Sequence, residues 1–167
     1  LGWGIGDNLL RVDKNNRYLP EKSMAESFQV APDLSSITFK IRKGVKFHGD
    51  WGEVTAADVA WSFNNAMREG SLFYRVASLQ PYMKGMTVID ERTVRLDWKP
   101  GQFLPWWELN FSQVRSADPW ITSKKMVDQL GEQKASETPV ATGPFEVVKW
   151  ASGERIELKA VAPHWRQ

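Results

Sequence analysis

The sequence predicts an α+β fold: a small mixed α/β domain built from antiparallel hairpins with a few helices packed on them. Three observations carry this. Ile37, Phe39 and Ile41 alternate with Thr38, Lys40 and Arg42, the period of a strand with one buried face. Two pairs of extended runs flank short turns, Met86–Ile89 with Thr93–Trp98, and Phe145–Trp150 with Arg155–Ala160. The apolar residues after Thr55 recur at helical rather than strand spacing. Strands joined mostly as hairpins argue against an alternating parallel α/β fold.

Taken in order, the first 22 residues are polar and turn-rich. Leu9, Leu10 and Val12 suit a short strand before the turn Asp13-Lys14-Asn15-Asn16, with Tyr18 and Leu19 after it. The segment reads as weakly anchored by itself. Lys43-Gly44 turns the first alternating strand, Val45–Phe47 resumes it, and 48–52 is a loop. Thr55 with Asp58 three residues on resembles a capping box, with Asp in place of the longer Glu. Ala56, Val59, Ala60, Phe63, Ala66 and Met67 share one face of the helix, and Gly70 ends it. Trp61 projects from the opposite face, so a second layer of protein is expected over it.

Residues 71–85 read as a loop carrying Phe73, Tyr74 and Tyr82. Phe103–Leu109 suits a short helix with Pro105 in its first turn. Asp118-Pro119 looks like a capped start for a helix reaching Leu130, and 132–141 reads as polar loop.

Composition narrows function mainly by exclusion. The 167 residues carry 22 basic and 20 acidic groups, for a net charge of +2. That balance supplies no field suited to nucleic acid. No run approaches the roughly 18 apolar residues of a membrane span. There is no cysteine, so disulfides, thiolate metal sites and cysteine nucleophiles are excluded. No glycine-rich phosphate loop or nucleophile elbow is present. His48 near Asp50 and Glu53 is a weak cation candidate, and an ordinary surface loop histidine is preferred. The nine tryptophans hint at cleft walls or interdomain surfaces, the alternative being large core residues. A small hydrolase would need a converging acid–base pair, which nothing here places.

Three ordered stretches resemble one family, the extracytoplasmic solute-binding proteins of the oligopeptide, dipeptide and nickel ABC importers (family 5). They are Met24-Ala25-Glu26-Ser27-Phe28 with Thr38–His48; Val54–Phe63; and Ala141-Thr142-Gly143-Pro144-Phe145 running through Gly153-Glu154 to Pro163-His164-Trp165. Gly49-Asp50-Trp51-Gly52 departs from the family's shorter turn after the histidine. Gly143 is read as free to take positive φ in a turn that Pro144 fixes.

The resemblance implies a fragment of a periplasmic-binding-protein-like type II fold. Residues 1–35 would begin the first lobe, 36–144 form a small extra domain, and 145–167 form a hairpin leading back, with the second lobe absent. It implies a substrate-binding subunit, not an enzyme, with no cofactor, metal or catalytic residue. It would capture a peptide or other small solute and deliver it to a membrane permease. The full-length form would be a periplasmic or extracytoplasmic monomer, anchored as a lipoprotein in some settings. It would have no nucleic-acid partner. Phe73 and Tyr74 become candidates for lining the ligand pocket and Trp61 for an interlobe contact. The competing reading is a carbohydrate-binding module that uses Trp106 and Trp107.

Overall fold

The computed structural model describes residues 2–15, 17–73, 76–103, 120–151 and 153–166. In chain order the elements are α1 (Gly2–Ile5), β1 (Ala25–Val30), β2 (Ser36–Ile41), α2 (Ala56–Ala66), α3 (Val76–Leu79), β3 (Met83–Asp90), β4 (Thr93–Trp98), α4 (Lys124–Leu130), α5 (Glu132–Ser136), β5 (Phe145–Ala151) and β6 (Arg155–Ala160). A four-stranded sheet runs β1-β2-β4-β3, and β5-β6 form a separate two-stranded sheet. Every strand pairing among the described residues is antiparallel, as the hairpin pattern predicts.

The alternation in β2 and β4 arises because only one face of the sheet is covered. Ile37, Phe39 and Ile41 are fully buried, and so are Val94 and Leu96 opposite them. The chain leaves β2, crosses the sheet as α2, and returns at β3 on the far side of β4. Val59, Ala60 and Phe63 of α2 pack on the apolar face. Each large side chain so buried contributes about 1.5–3 kcal/mol relative to exposure.

The edge strand β1 lacks a clean alternation. Its register shifts between Ala25 and Ser27, so Glu26 sits at an irregularity that breaks the period of two. The opposite edge, β3, is closed by a side chain. Asn64 of α2 donates to the Met86 carbonyl at 2.9 Å and accepts from the Met86 N–H at 2.8 Å, which replaces a fifth strand at that position.

Three expectations are corrected. The first residues are firmly held: Leu9 and Leu10 are fully buried, and the Met24 and Ala25 N–H groups donate to the carbonyls of Asn8 and Leu9. Sparse local signal there conceals tertiary anchoring. The helix expected from Asp118 starts instead at Lys124, with Ser123 as N-cap accepting from the Met126 N–H at 3.3 Å. Long-range bonds hold the approach extended, because Thr122 N–H donates to Ser62 Oγ and Lys124 N–H to Asp58 Oδ1. The polar stretch after Gly131 contains the short α5 rather than only loop. The helix read over Phe103–Leu109 lies outside the described residues.

The capping box at the start of α2 is present, and its aspartate has a second task. Asp58 Oδ2 accepts from the Thr55 N–H and hydroxyl at 2.8 and 2.7 Å, while Oδ1 accepts from Lys124 N–H at 2.7 Å. One buried carboxylate thus starts two helices. Thr55→Ala is expected to cost about 1 kcal/mol. Asp58→Ala should cost roughly 2–3 kcal/mol, since it also leaves the Lys124 N–H unpaired. Urea unfolding followed by circular dichroism measures both, and equal losses would contradict the double role.

Candidate functional site

Two features outside the sheet core concentrate polar and aromatic side chains. The first is the junction at Ala141–Gly143. Gly143 N–H donates to the Ile5 carbonyl at 2.6 Å, and Asp7 N–H donates to Thr142 Oγ1 at 3.3 Å. The Gly143 carbonyl lies 2.8 Å from His48 Nε2, and the Thr142 carbonyl lies 3.0 Å from His164 Nε2. Both histidines therefore carry their proton on Nε2. Their Nδ1 atoms accept from the N–H groups of Ala141 and Arg166 respectively.

This corrects two readings. His48 is buried and hydrogen-bonded through both ring nitrogens, so it is neither a surface loop histidine nor a cation ligand. Among the described residues no cluster of three potential ligands exists. Gly143 is also not one of the glycines with positive φ. It is glycine because a Cβ there would stand 2.5 Å from the carbonyl carbon and oxygen of Ile5. The requirement is close backbone approach, not an unusual dihedral angle.

Asp7 is buried beside this junction. Its Oδ2 accepts from the Trp165 indole at 2.7 Å and lies 3.2 Å from His164 Nε2, while Oδ1 lies 2.6 Å from Arg166 Nη2. Burial pushes the Asp7 carboxyl above the usual carboxylate range, against the opposing pull of Arg166, Trp165, His164 and Arg11.

The second feature is an open cleft of about 1290 Å³ between α2, the α4–α5 pair and the β5–β6 hairpin. Trp61, Phe73, Trp120, Val147, Trp150 and Ile156 contribute to its walls. Arg68 and Glu132 also contribute and pair at 2.7 Å in solvent, so this wall adds little net charge. Trp61 also packs on Met126, Val127 and Ala135 of α4 and α5, which form a second layer on that side of α2. Phe73 reaches both the cleft and the main core, and its N–H donates to Ser71 Oγ at 3.1 Å. Tyr74, Trp106 and Trp107 lie outside the described residues.

Trp120 and Trp150 belong to this cleft but do not stand out in the sequence as site residues. Trp150 lies in a strand whose burial does not alternate, and Trp120 stands where a helix is expected. Their exposure, 44% and 60%, is what separates them from core tryptophans such as Trp98 at 4%.

Two predictions follow from the junction. Gly143→Ala should cost on the order of 3 kcal/mol, because backbone must move. Gly153→Ala, a strained turn with open space around it, should cost only about 1 kcal/mol. Denaturant midpoints decide between them. For Asp7, the folded state keeps a proton that the unfolded state has lost between the ordinary value of 3.8 and the raised one. The stability of wild type relative to Asp7→Asn should therefore fall as pH rises through that window. A flat difference across acidic pH would contradict the burial effect.

The family described as bacterial extracellular solute-binding proteins, family 5 Middle, matches residues 20–167. Heme-binding protein A of Haemophilus influenzae is 28% identical over 163 residues, covering 87% of this chain and 29% of that protein. The dipeptide-binding protein of Escherichia coli is 26% identical over 159 residues, covering 85% of this chain and 29% of that protein. A dipeptide binding protein from pseudoalteromonas sp. SM9913, solved in complex with Met-Leu, matches with a TM-score of 0.82 at 18% identity. That match covers 100% of this chain and 36% of the other, and at such identity it shows the fold, which is of the periplasmic-binding-protein type. The chain thus spans 29% of the length of the two curated relatives. The two relatives are named for binding heme and dipeptides, and nothing among these proteins supports a carbohydrate-binding module built on Trp106 and Trp107. Residues 20–167 make up most of the sequence, and the chain belongs to the bacterial extracellular solute-binding proteins of family 5.

Proposed function

We propose that this chain is part of the substrate-binding subunit of an ABC-type importer for peptides or related solutes. The observation that carries this is the family match over residues 20–167 together with relatives named for dipeptide binding. In this reading the whole protein captures its solute between two lobes and delivers it to a membrane permease. Closure is a population shift driven by solute contacts on both lobes. No catalysis is involved, and the protein works as an extracytoplasmic monomer, with a lipid anchor in the full-length form where the cell requires one.

The proposed division has residues 1–35 beginning the first lobe, 36–144 forming its small extra domain and 145–167 leading back into it. Phe73 and Tyr74 would line the solute pocket from the loop after α2, and Trp61 would meet a neighbouring lobe. The placement of Phe73 and Trp61 on one cleft supports this assignment.

The test is calorimetry with dipeptides on the full-length parent and on this chain. The parent should bind, and this chain alone should show no submicromolar affinity, because one jaw is missing. Tight binding by this chain would contradict the two-lobed mechanism. Tyr74→Ala in the parent should weaken binding about tenfold, near the loss expected for one buried aromatic contact. Unchanged affinity would remove Tyr74 from the pocket.

A further inference from the structure

The α4–α5 pair forms one wall of the tryptophan-lined cleft, and little holds that wall in place. Its own core is three side chains, Met126, Val127 and Ala135, a satellite cluster too small to fix it alone. Among the described residues, its backbone is hydrogen-bonded to other elements only at its two ends. Thr122 N–H and Lys124 N–H reach Ser62 Oγ and Asp58 Oδ1 at 2.8 and 2.7 Å before α4. After α5, the Ala141 carbonyl accepts from His48 N–H at 2.8 Å. The Arg68–Glu132 pair also crosses from α2 to α5, but both side chains are more than half exposed, and such a bridge is worth little.

Between those ends the wall is held by packing, which two half-buried tryptophans supply. Trp61 reaches Met126, Val127 and Ala135 from α2 and lines the cleft itself. Trp51 comes from the tip of the loop after β2. That loop is closed by Phe47 N–H donating to the Gly52 carbonyl at 2.9 Å and Val54 N–H to the Val45 carbonyl at 2.8 Å. Its tip is fastened to the junction through both ring nitrogens of His48. From this fixed point Trp51 packs against the sheet core and the α4–α5 cluster together. Among the described half-buried residues Val140 does the same, but Val140 belongs to the segment being held. Trp51 does not line the cleft, whereas Met126, Val127 and Ala135 do.

We infer that Trp51 is the positioning residue of the cleft. From behind the wall it fixes α4–α5 against the sheet domain, and so sets the width of the cleft without touching a solute. An indole suits the task because it offers a large rigid contact area with only two rotatable bonds. Without it the wall rests on its two ends and on Trp61. The consequence for solute binding rests on the reading of this cleft as the solute pocket, while the mechanical role does not.

The chain has no cysteine, so spin labels can be placed on introduced ones. Lys125→Cys on α4 with Lys84→Cys on β3, both exposed, reports the distance of the wall from the sheet. Lys84→Cys with Gln29→Cys on β1 reports the sheet alone. Dipolar distance measurements on otherwise unaltered chain should give one narrow distance for each pair. Trp51→Ala should abolish the single narrow distance of the first pair and leave the second unchanged, and Trp51→Phe should restore the first. Trp51→Leu, too short to span both clusters, should act as Trp51→Ala does and keeps the test readable where the alanine variant fails to fold. Both distances changing together, or neither changing in a folded variant, would overturn the inference, because a residue that only stabilises the core does one or the other. In the full-length parent, Trp51→Ala should weaken dipeptide binding about tenfold through the cost of ordering the wall, with Trp51→Phe near wild type. Unchanged affinity would overturn the part of Trp51 in binding. A parent that binds no dipeptide would overturn the solute reading instead, and the label distances would still decide whether Trp51 holds the wall.

Discussion

The contact on which the rest of the chain depends is the backbone approach of Gly143 to Ile5. It brings together residues separated by more than a hundred positions and leaves no room for a side chain. Around it, two carbonyls hold two histidines, one from the loop after β2 and one from beyond β6. The loop carrying His48 is itself closed by the bonds Phe47 N–H to Gly52 and Val54 N–H to Val45. The start of the chain, the sheet domain and the closing hairpin thus share one hydrogen-bonded centre. Buried polar groups connected in this way favour a single arrangement, because any slip leaves several of them unpaired.

That rigidity is relevant to a solute-binding protein. A lobe that closes on a ligand moves as a body, and its wall must keep its shape while the hinge changes. The tryptophan-lined cleft draws on α2, α4–α5 and β5–β6. Those elements hold their places through Asp58, Ser62 and the Gly143 junction rather than through one continuous sheet. The β5–β6 hairpin makes the point most clearly. Two strands alone are marginal, and Val148 and Trp150 are left largely exposed, so its anchorage to α1 and the junction positions that wall.

Much of the fold was legible because its strands are covered on one face only. The alternation of Ile37, Phe39 and Ile41, and of Val94, Leu96 and Trp98, maps directly onto the buried face. The capping residues of α2 were equally readable, since Thr55 and Asp58 act within one turn. What could not be read is what depends on distant partners. The bulge at Glu26 erases the period of β1, and the start of α4 is set by Asp58 and Ser62 some sixty residues earlier. The burial of His48 follows from a carbonyl ninety-five positions away. The Thr-Gly-Pro motif pointed to the right place but for a different reason, steric rather than dihedral. The cleft was only partly visible: Trp61 stood out by its helix face, whereas Trp120 and Trp150 carry no local mark.

Amide hydrogen exchange at Gly143 tests the central claim most directly. If the junction is the closing contact of the folded chain, the Gly143 N–H should be protected as strongly as the amides of Phe39 and Leu96 in the sheet and exchange only on global unfolding. Exchange of Gly143 at the rate of an exposed turn such as Gly153, with the sheet amides still protected, would show that the hairpin and the first residues are held separately and contradict the account.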